Sequence, residues 1–394
     1  MRRLLLLALI AQVTGSQLAD AQRRESTPTN ADARPIFRLS VSLVQLDAVV
    51  TDGKGRHVTT LGAQDFEVFQ DGRPQPVTAV AYVDASVDWQ DTSGLPPLPP
   101  EAIRPADARR VIGIVVDDLR MSFESIFYAR HGLDRFAQQQ FVPGDRAVLV
   151  TTSGGYGRAP ELTASAGTLK AAVNRLRYSM WGMSGASALD PVDGVNDSFG
   201  ALEAFRDRSF AVDAIQRVED VIDALKPLPG RKSVVLVSEG FAVGGLGIDS
   251  NFIQSAMQGL VDRANRAGVV IYAIDPRGLV VTGLTAADSS SGMNPARMSS
   301  IASMRAQALR ESQDGLRFLA GETGGFAVVN SNDLAFGMKR IMTDQRGYYL
   351  IGYQPEAGTL AEATRPRFRH LKIKVKRKGL RVRTRSGFYT VASE

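Results

Sequence analysis

The chain has 394 residues, 44% of them apolar and 22% charged, a balance suited to about two or three folded domains rather than to disorder. It contains no cysteine, which excludes disulfides, thiol nucleophiles, iron–sulfur clusters and cysteine-held zinc together. The formal charge is +6, and the histidines His57, His131 and His370 are too scattered to form a ligand pair.

In chain order, Arg2-Arg3, an apolar stretch from Leu4 to Val13, and Ala19-Asp20-Ala21 have the layout of a secretory signal peptide cut after Ala21. The stretch is shorter than the roughly 20 residues that a membrane span needs. Residues 1–21 are therefore expected to be a signal peptide, and the mature chain a secreted or periplasmic one without a membrane span. Residues 22–35 read as a flexible leader. An N-terminal β segment follows over 36–86: a β-rich run to Val50 closed by Asp52-Gly53, a strand over Asp65–Gln70 closed by Asp71-Gly72, and another over Val77–Val83. Pro96, Pro97, Pro99, Pro100 and Pro105 make 87–108 a stiff linker.

From 109 to 346 the rhythm becomes strand and helix. Val111–Val116 is an apolar run of the kind buried on both faces of a parallel sheet. Helix over Ser122–Gln140, strand over Ala147–Thr152 and helix over Leu169–Arg177 come next. After a long loop at 178–200 come helix Ala214–Leu225, strand Ser233–Val237, helix Phe252–Ala267 and strand Val269–Ile274. A mobile stretch is expected at 283–300, then helix Met304–Ala320, a short strand at Phe326–Val329 and helix Asn332–Met342. Residues 347–394 return to β, with strands over Tyr348–Tyr353, Leu371–Lys376 and Leu380–Thr384. The fold expected is α/β, with a doubly wound, mostly parallel sheet. The two terminal β segments, each small for a core of its own, are expected to join as one β-sandwich-like domain.

The charge is uneven. Between Arg365 and Arg385 stand eleven Lys or Arg and no Asp or Glu, so the rest of the chain is net negative. Lys372, Lys374 and Lys376 alternate on one strand, and Arg381, Arg383 and Arg385 on another. Few aromatic residues interleave with them, against nucleic-acid stacking. A solvated strand face that discourages edge pairing is the reading preferred.

Taken in order, several segments resemble a von Willebrand factor type A-related domain of secreted bacterial proteins. They are Val111 to Asp118, Pro143 to Val150 and Pro229 to Gly240, framed by Leu43 to Asp52, Asp65 to Gly72, Gly352 to Pro355 and Arg383 to Tyr389. The resemblance implies a Rossmann-like sheet with a ligand site at the carboxyl ends of its strands. In complete members that site holds Mg²⁺ through an Asp-x-Ser-x-Ser loop, a Thr and a further Asp, leaving a position for a partner's carboxylate.

This chain departs from that pattern. With Asp117 in register, Leu119 and Met121 stand where the serines belong. With Asp118 in register, Ser122 recovers one hydroxyl but Arg120 brings a positive charge. Ser187 stands in place of the Thr, and Glu239 near the third loop's Asp. The candidate ligand-binding residues are thus Asp117, Asp118, Arg120, Ser122, Ser187 and Glu239. Were a metal held, Asp118, Ser122, Ser187 and Glu239 would hold it. The preferred reading is a degenerate site without Mg²⁺, with Arg120 in the ion's electrostatic role beside Asp118 or Glu239, and Ser122 capping its helix. No phosphate loop or nucleophile elbow is present.

The function expected is non-enzymatic binding or adhesion. An unidentified protein or cell-surface ligand, not nucleic acid, would meet the strand-end loops. Two alternatives stay open: a divalent-metal hydrolase using Asp117, Asp118 and Glu239, and a structural envelope protein that associates through its β domain.

Overall fold

A computed structural model describes residues 44–84, 110–154, 161–179, 200–228, 231–241, 248–285, 288, 294–355 and 367–390. The expected signal peptide, leader, proline-rich linker and Ser187 lie outside them. Among the described residues no helix is long and apolar enough to cross a membrane.

The α/β part is one parallel five-stranded sheet. Its strands are β5 (Val111–Val116), β6 (Arg146–Thr151), β7 (Lys232–Val237), β8 (Val269–Ile274) and β9 (Ala327–Val328), in the order β6-β5-β7-β8-β9. Every residue of β5 and β8 is buried, as their unbroken apolar runs require. Alternation divides β5 between two cores: Val111 and Val115 face one, and Ile112, Ile114 and Val116 the other. On the first side lie α3 (Gly200–Leu225), α4 (Ile248–Ala267) and α5 (Pro295–Glu322), through Val218, Leu260 and Leu319 among others. On the second lie α1 (Phe123–Gln139), α2 (Ala166–Asn174) and α6 (Leu334–Asp344), through Phe136, Val173 and Met338. This is the doubly wound α/β sheet expected.

Eight strands form two antiparallel sheets. β1 (Val44–Thr51), β4 (Val77–Asp84), β10 (Gly347–Tyr353) and β12 (Arg381–Arg383) run in the order β12-β1-β10-β4. β2 (Phe66–Gln70), β3 (Arg73–Gln75), β11 (Phe368–Val375) and β13 (Gly387–Tyr389) run in the order β13-β11-β2-β3. Each sheet takes strands from both the front and the back of the chain. They share one core, in which Leu46, Ala48 and Val50 meet Phe66, Val68, Tyr349, Ile351, Tyr353, Leu371 and Ile373. Tyr349 and Tyr353 bury their rings there and keep their hydroxyls bonded. Tyr349 Oη donates to the Val58 carbonyl (2.7 Å) and accepts Leu61 N–H (3.0 Å), while Tyr353 Oη donates to Gln70 Oε1 (2.7 Å).

β10 is buried on both faces because its other side meets the α/β part. Tyr348 and Leu350 point away from the sandwich core, and the Arg231 guanidinium lies 4.8 Å from the Tyr348 ring centre. Asp344, at the end of α6, gathers this junction: Tyr272 Oη donates to Oδ2 at 2.7 Å, and Arg383 pairs with Oδ1.

Four differences from the sequence expectation have physical causes. α3 begins at Gly200, fourteen residues before the expected start at Ala214, and α5 begins at Pro295, inside the stretch expected to be mobile. In α5 the proline sits in the first turn, where no N–H is needed, and Asn294 caps it by accepting Arg297 N–H at 2.8 Å. β3 and β13, three residues each, were not foreseen: Arg73-Pro74-Gln75 returns onto β2 from the Asp71-Gly72 turn with no apolar alternation to mark it, and β13 is set by its pairing with β11. Arg383 and Arg385 also turn toward the module junction rather than standing on a solvated face.

Gly113 lies where β5 packs under α3: a Cβ there would sit 2.3 Å from Val221 Cγ1. Gly113→Val is expected to cost about 1–3 kcal/mol or more in urea unfolding, as overpacking does. Gly53→Ala, with open space around its Cβ, should leave the midpoint nearly unchanged.

Candidate functional site

The first four strands of the sheet end on one side, and their polar residues converge there. Asp117 and Asp118 follow β5, Thr152 and Ser153 follow β6, Ser238 and Glu239 follow β7, and Asp275 follows β8. Asp117 is wholly buried and Asp118 is 3% exposed.

Asp117 is held on every side. Its N–H donates to the Val237 carbonyl (2.9 Å). Oδ1 accepts from Thr152 Oγ1 (3.2 Å) and Oδ2 from Ser238 Oγ (2.7 Å). Arg120 Nε lies 3.8 Å from Oδ2. Asp118 Oδ1 accepts Ser153 N–H (2.8 Å) and Thr152 Oγ1 (3.0 Å), and Ser153 Oγ donates to Oδ2. Ser238 Oγ in turn accepts Gly240 N–H at 3.0 Å.

The loop that carries Arg120 is braced at both ends. Leu119 N–H donates to Thr152 Oγ1 (3.2 Å), and Ser122 N–H to Glu239 Oε1 (2.8 Å). Ser122 Oγ accepts Ser125 N–H (3.2 Å), so this serine caps α1. Arg120 Nη2 donates to the Gly240 carbonyl (3.3 Å), and its guanidinium stands 5.8 Å from the Phe241 ring centre. Gly240 takes φ +95°, and a Cβ there would meet the Ser312 carbonyl oxygen at 2.2 Å. Only glycine fits that turn.

A further carboxylate is clamped at the end of the neighbouring strand β8. Asp275 accepts from Arg277 through Nε and Nη2, both at 2.9 Å, and from Gln313 Nε2 at 3.0 Å. Arg277 Nη2 also reaches Ser312 Oγ (2.9 Å), which ties α5 to this edge of the site.

The structure therefore brings together Asp117, Asp118, Arg120, Ser122 and Glu239, while Ser187 lies outside the described residues. Sequence reading missed Thr152, Ser153, Ser238, Asp275 and Arg277. The hydroxyls of Thr151-Thr152-Ser153 and of Ser238, each directly after a strand of a parallel sheet, were the available signal.

Asp117 fits a divalent ion poorly. Mg²⁺ needs near-octahedral oxygens and keeps several waters, so its ligands must face an open space. Here Asp117 is sealed, Met121 beside it is fully buried, and a guanidinium faces the carboxylate. Among the described residues no cluster of three His, Asp or Glu has the form of a metal site.

No family model matches the chain, and no curated protein matches it in sequence. Solved structures resemble it loosely. An aerotolerance-related membrane protein from Bacteroides fragilis aligns over 59% of this chain and 98% of its own, at 9% identity and a TM-score of 0.31. The conserved hypothetical protein BatB from Bacteroides thetaiotaomicron aligns over 60% and 96%, at 10% identity and a TM-score of 0.28. A membrane-spanning protein from Vibrio fischeri aligns over 59% and 96%, at 13% identity and a TM-score of 0.16. Likenesses this loose carry no conclusion about function.

Burial pushes the Asp117 carboxyl up from its ordinary 3.8 to about 6, against the opposing pull of Arg120, Ser238 and Thr152. An acid whose folded-state pKa is raised is more readily protonated in the folded than in the unfolded chain. Its ionisation thus costs stability, with no cost below about pH 4 and the full cost above pH 6. The stability difference between wild type and Asp117→Asn, from urea unfolding, should fall by roughly 2 kcal/mol from pH 4 to pH 7. A difference that stays flat with pH would contradict the burial argument.

Proposed function

We propose that this chain is a non-enzymatic binding protein with a von Willebrand factor type A-like domain. It would meet a protein or surface ligand with the loops at the carboxyl ends of the parallel strands, without a divalent ion. The observation that carries the reading is the pairing of Arg120 with the sealed Asp117. A fixed guanidinium supplies the positive charge that a metal would otherwise bring. It is bound to the chain itself, so a partner's carboxylate would meet it without metal loading.

The rim of the site supports a protein partner. Phe123, at the head of α1, is 68% exposed, and Leu279 and Val281, after β8, are 68% and 71% exposed. Large apolar side chains exposed beside a polar centre suit an interface with an apolar anchor and a fixed charge. The hydrolase alternative fares worse, because Asp117 and Asp118 spend their oxygens on internal hydroxyls and Glu239 on a backbone N–H.

Calorimetric titration with Mg²⁺ and Mn²⁺, paired with thermal melting, tests the reading. Wild type should give no saturable heat and no shift. Saturable binding that raises the melting temperature and is lost in Asp118→Ala would overturn it. Turnover of generic ester, phosphate or peptide substrates that is lost in Asp117→Asn would favour the hydrolase instead.

A further inference from the structure

The opposite end of the parallel sheet holds a different chemistry. A cavity of about 250 Å³ lies where the strands begin, between the two parts of the chain. Arg231 and Lys232 at the start of β7 and Gly268 to Val270 at the start of β8 form one wall. Gln45, Asp47 and Val49 of β1, with Arg383, Thr384 and Arg385, form the other. The space suits a small molecule rather than a single water.

Four cationic side chains line this cavity, against one carboxylate, Asp47. Asp344 stands just outside the lining: it pairs with Arg383, and Arg231 Nη2 reaches it only at 4.0 Å. Arg385 gives Nη1 to the Asn265 carbonyl and Nη2 to the Gln45 carbonyl, both at 3.0 Å. Lys232 Nζ likewise donates to the carbonyls of Lys226 and Leu228. Carbonyls satisfy N–H groups, but they do not neutralise a cation.

The lining also holds buried polar atoms without a hydrogen-bond partner. They are Arg231 Nε and Nη1, Arg383 Nη1, Thr384 Oγ1 and Arg385 Nε. The Arg231 side chain is only 3% exposed, so its donors face the cavity or the protein rather than the outer surface. Burial pulls both Lys232 and Arg385 below their ordinary pKa, partly offset by Asp47. Buried charges and donors left this way are costly, and an anion with several oxygens answers both needs.

We propose that this junction cavity is a binding site for a small oxyanion, a phosphate or carboxylate group held chiefly by Arg231 with Arg383, Thr384 and Arg385. Arginine forks suit either group, and its charge would meet the excess that Asp47 leaves. Because the walls come from both parts of the chain, a bound anion also fastens the parallel sheet to the β-sandwich. The site lies at the far end of the strands from Asp117 and does not depend on the reading given to that end.

The test is calorimetric titration of the full chain with inorganic phosphate and, separately, with malonate, at fixed ionic strength, alongside thermal melting. One of the two should bind saturably, with one site per chain and a raised melting temperature, and the tighter binder identifies the oxyanion class. Asp47→Asn removes the competing carboxylate and keeps every cation, so it should tighten binding several-fold. Arg231→Gln, checked for folding by circular dichroism, should weaken it at least tenfold. Three outcomes would overturn the proposal: no saturable heat from either anion in wild type and Asp47→Asn, unchanged affinity in Asp47→Asn, or full affinity in a folded Arg231→Gln.

Discussion

A carboxylate taken wholly out of water must be paired or bonded, and Asp117 is taken wholly out of water. The site is arranged around that constraint. Thr152 comes from the end of β6, Ser238 from the end of β7 and Arg120 from the loop after β5, and all three turn to one side chain. Three strand ends are tied to a single point, and the loop between β5 and α1 is fixed with them. Glu239 and Ser122 continue the same logic, each using its side chain to hold backbone rather than to face a ligand. The large side chains left exposed after these strands are apolar: Phe123, Leu279 and Val281.

The two ends of the sheet carry opposite problems. At the carboxyl ends, Asp117, Asp118 and Asp275 are matched by hydroxyls and by Arg120 and Arg277. Where the strands begin, Arg231, Lys232 and Arg385 gather around Asp47, with Asp344 drawn to Arg383. The first set closes on itself and the second does not. That asymmetry separates a finished internal network from a cavity that asks for an anion.

The parallel core was legible because apolar runs bounded by turns need no partner to be recognised. β8 matches its expected bounds, and β5 does too. Residues 200–213 mix apolar residues with Glu203, Arg206, Asp207, Arg208 and Asp213, so the sequence alone marks no clear helical stripe there. Among the site residues, Asp117, Arg120 and Glu239 were found through spacing along one resemblance. Thr152 and Ser238 were not, because their value comes from neighbouring strands 35 and 121 residues away in sequence. Arg383 and Arg385 show the same limit in reverse. Alternation places them on one face but says nothing of what covers that face, and the register of β12 with β1 decides it.

The claim on which the rest leans is that Arg120 and Asp117 act as a pair within the folded chain. A double-mutant cycle with Arg120→Met and Asp117→Asn, read by urea unfolding at pH 7, measures that coupling directly. A favourable coupling of about 1–3 kcal/mol is expected, as contacting charged groups in one network give. Losses that add within about 0.5 kcal/mol would mean that the two residues do not work together, and the metal-free reading of the site would lose its footing.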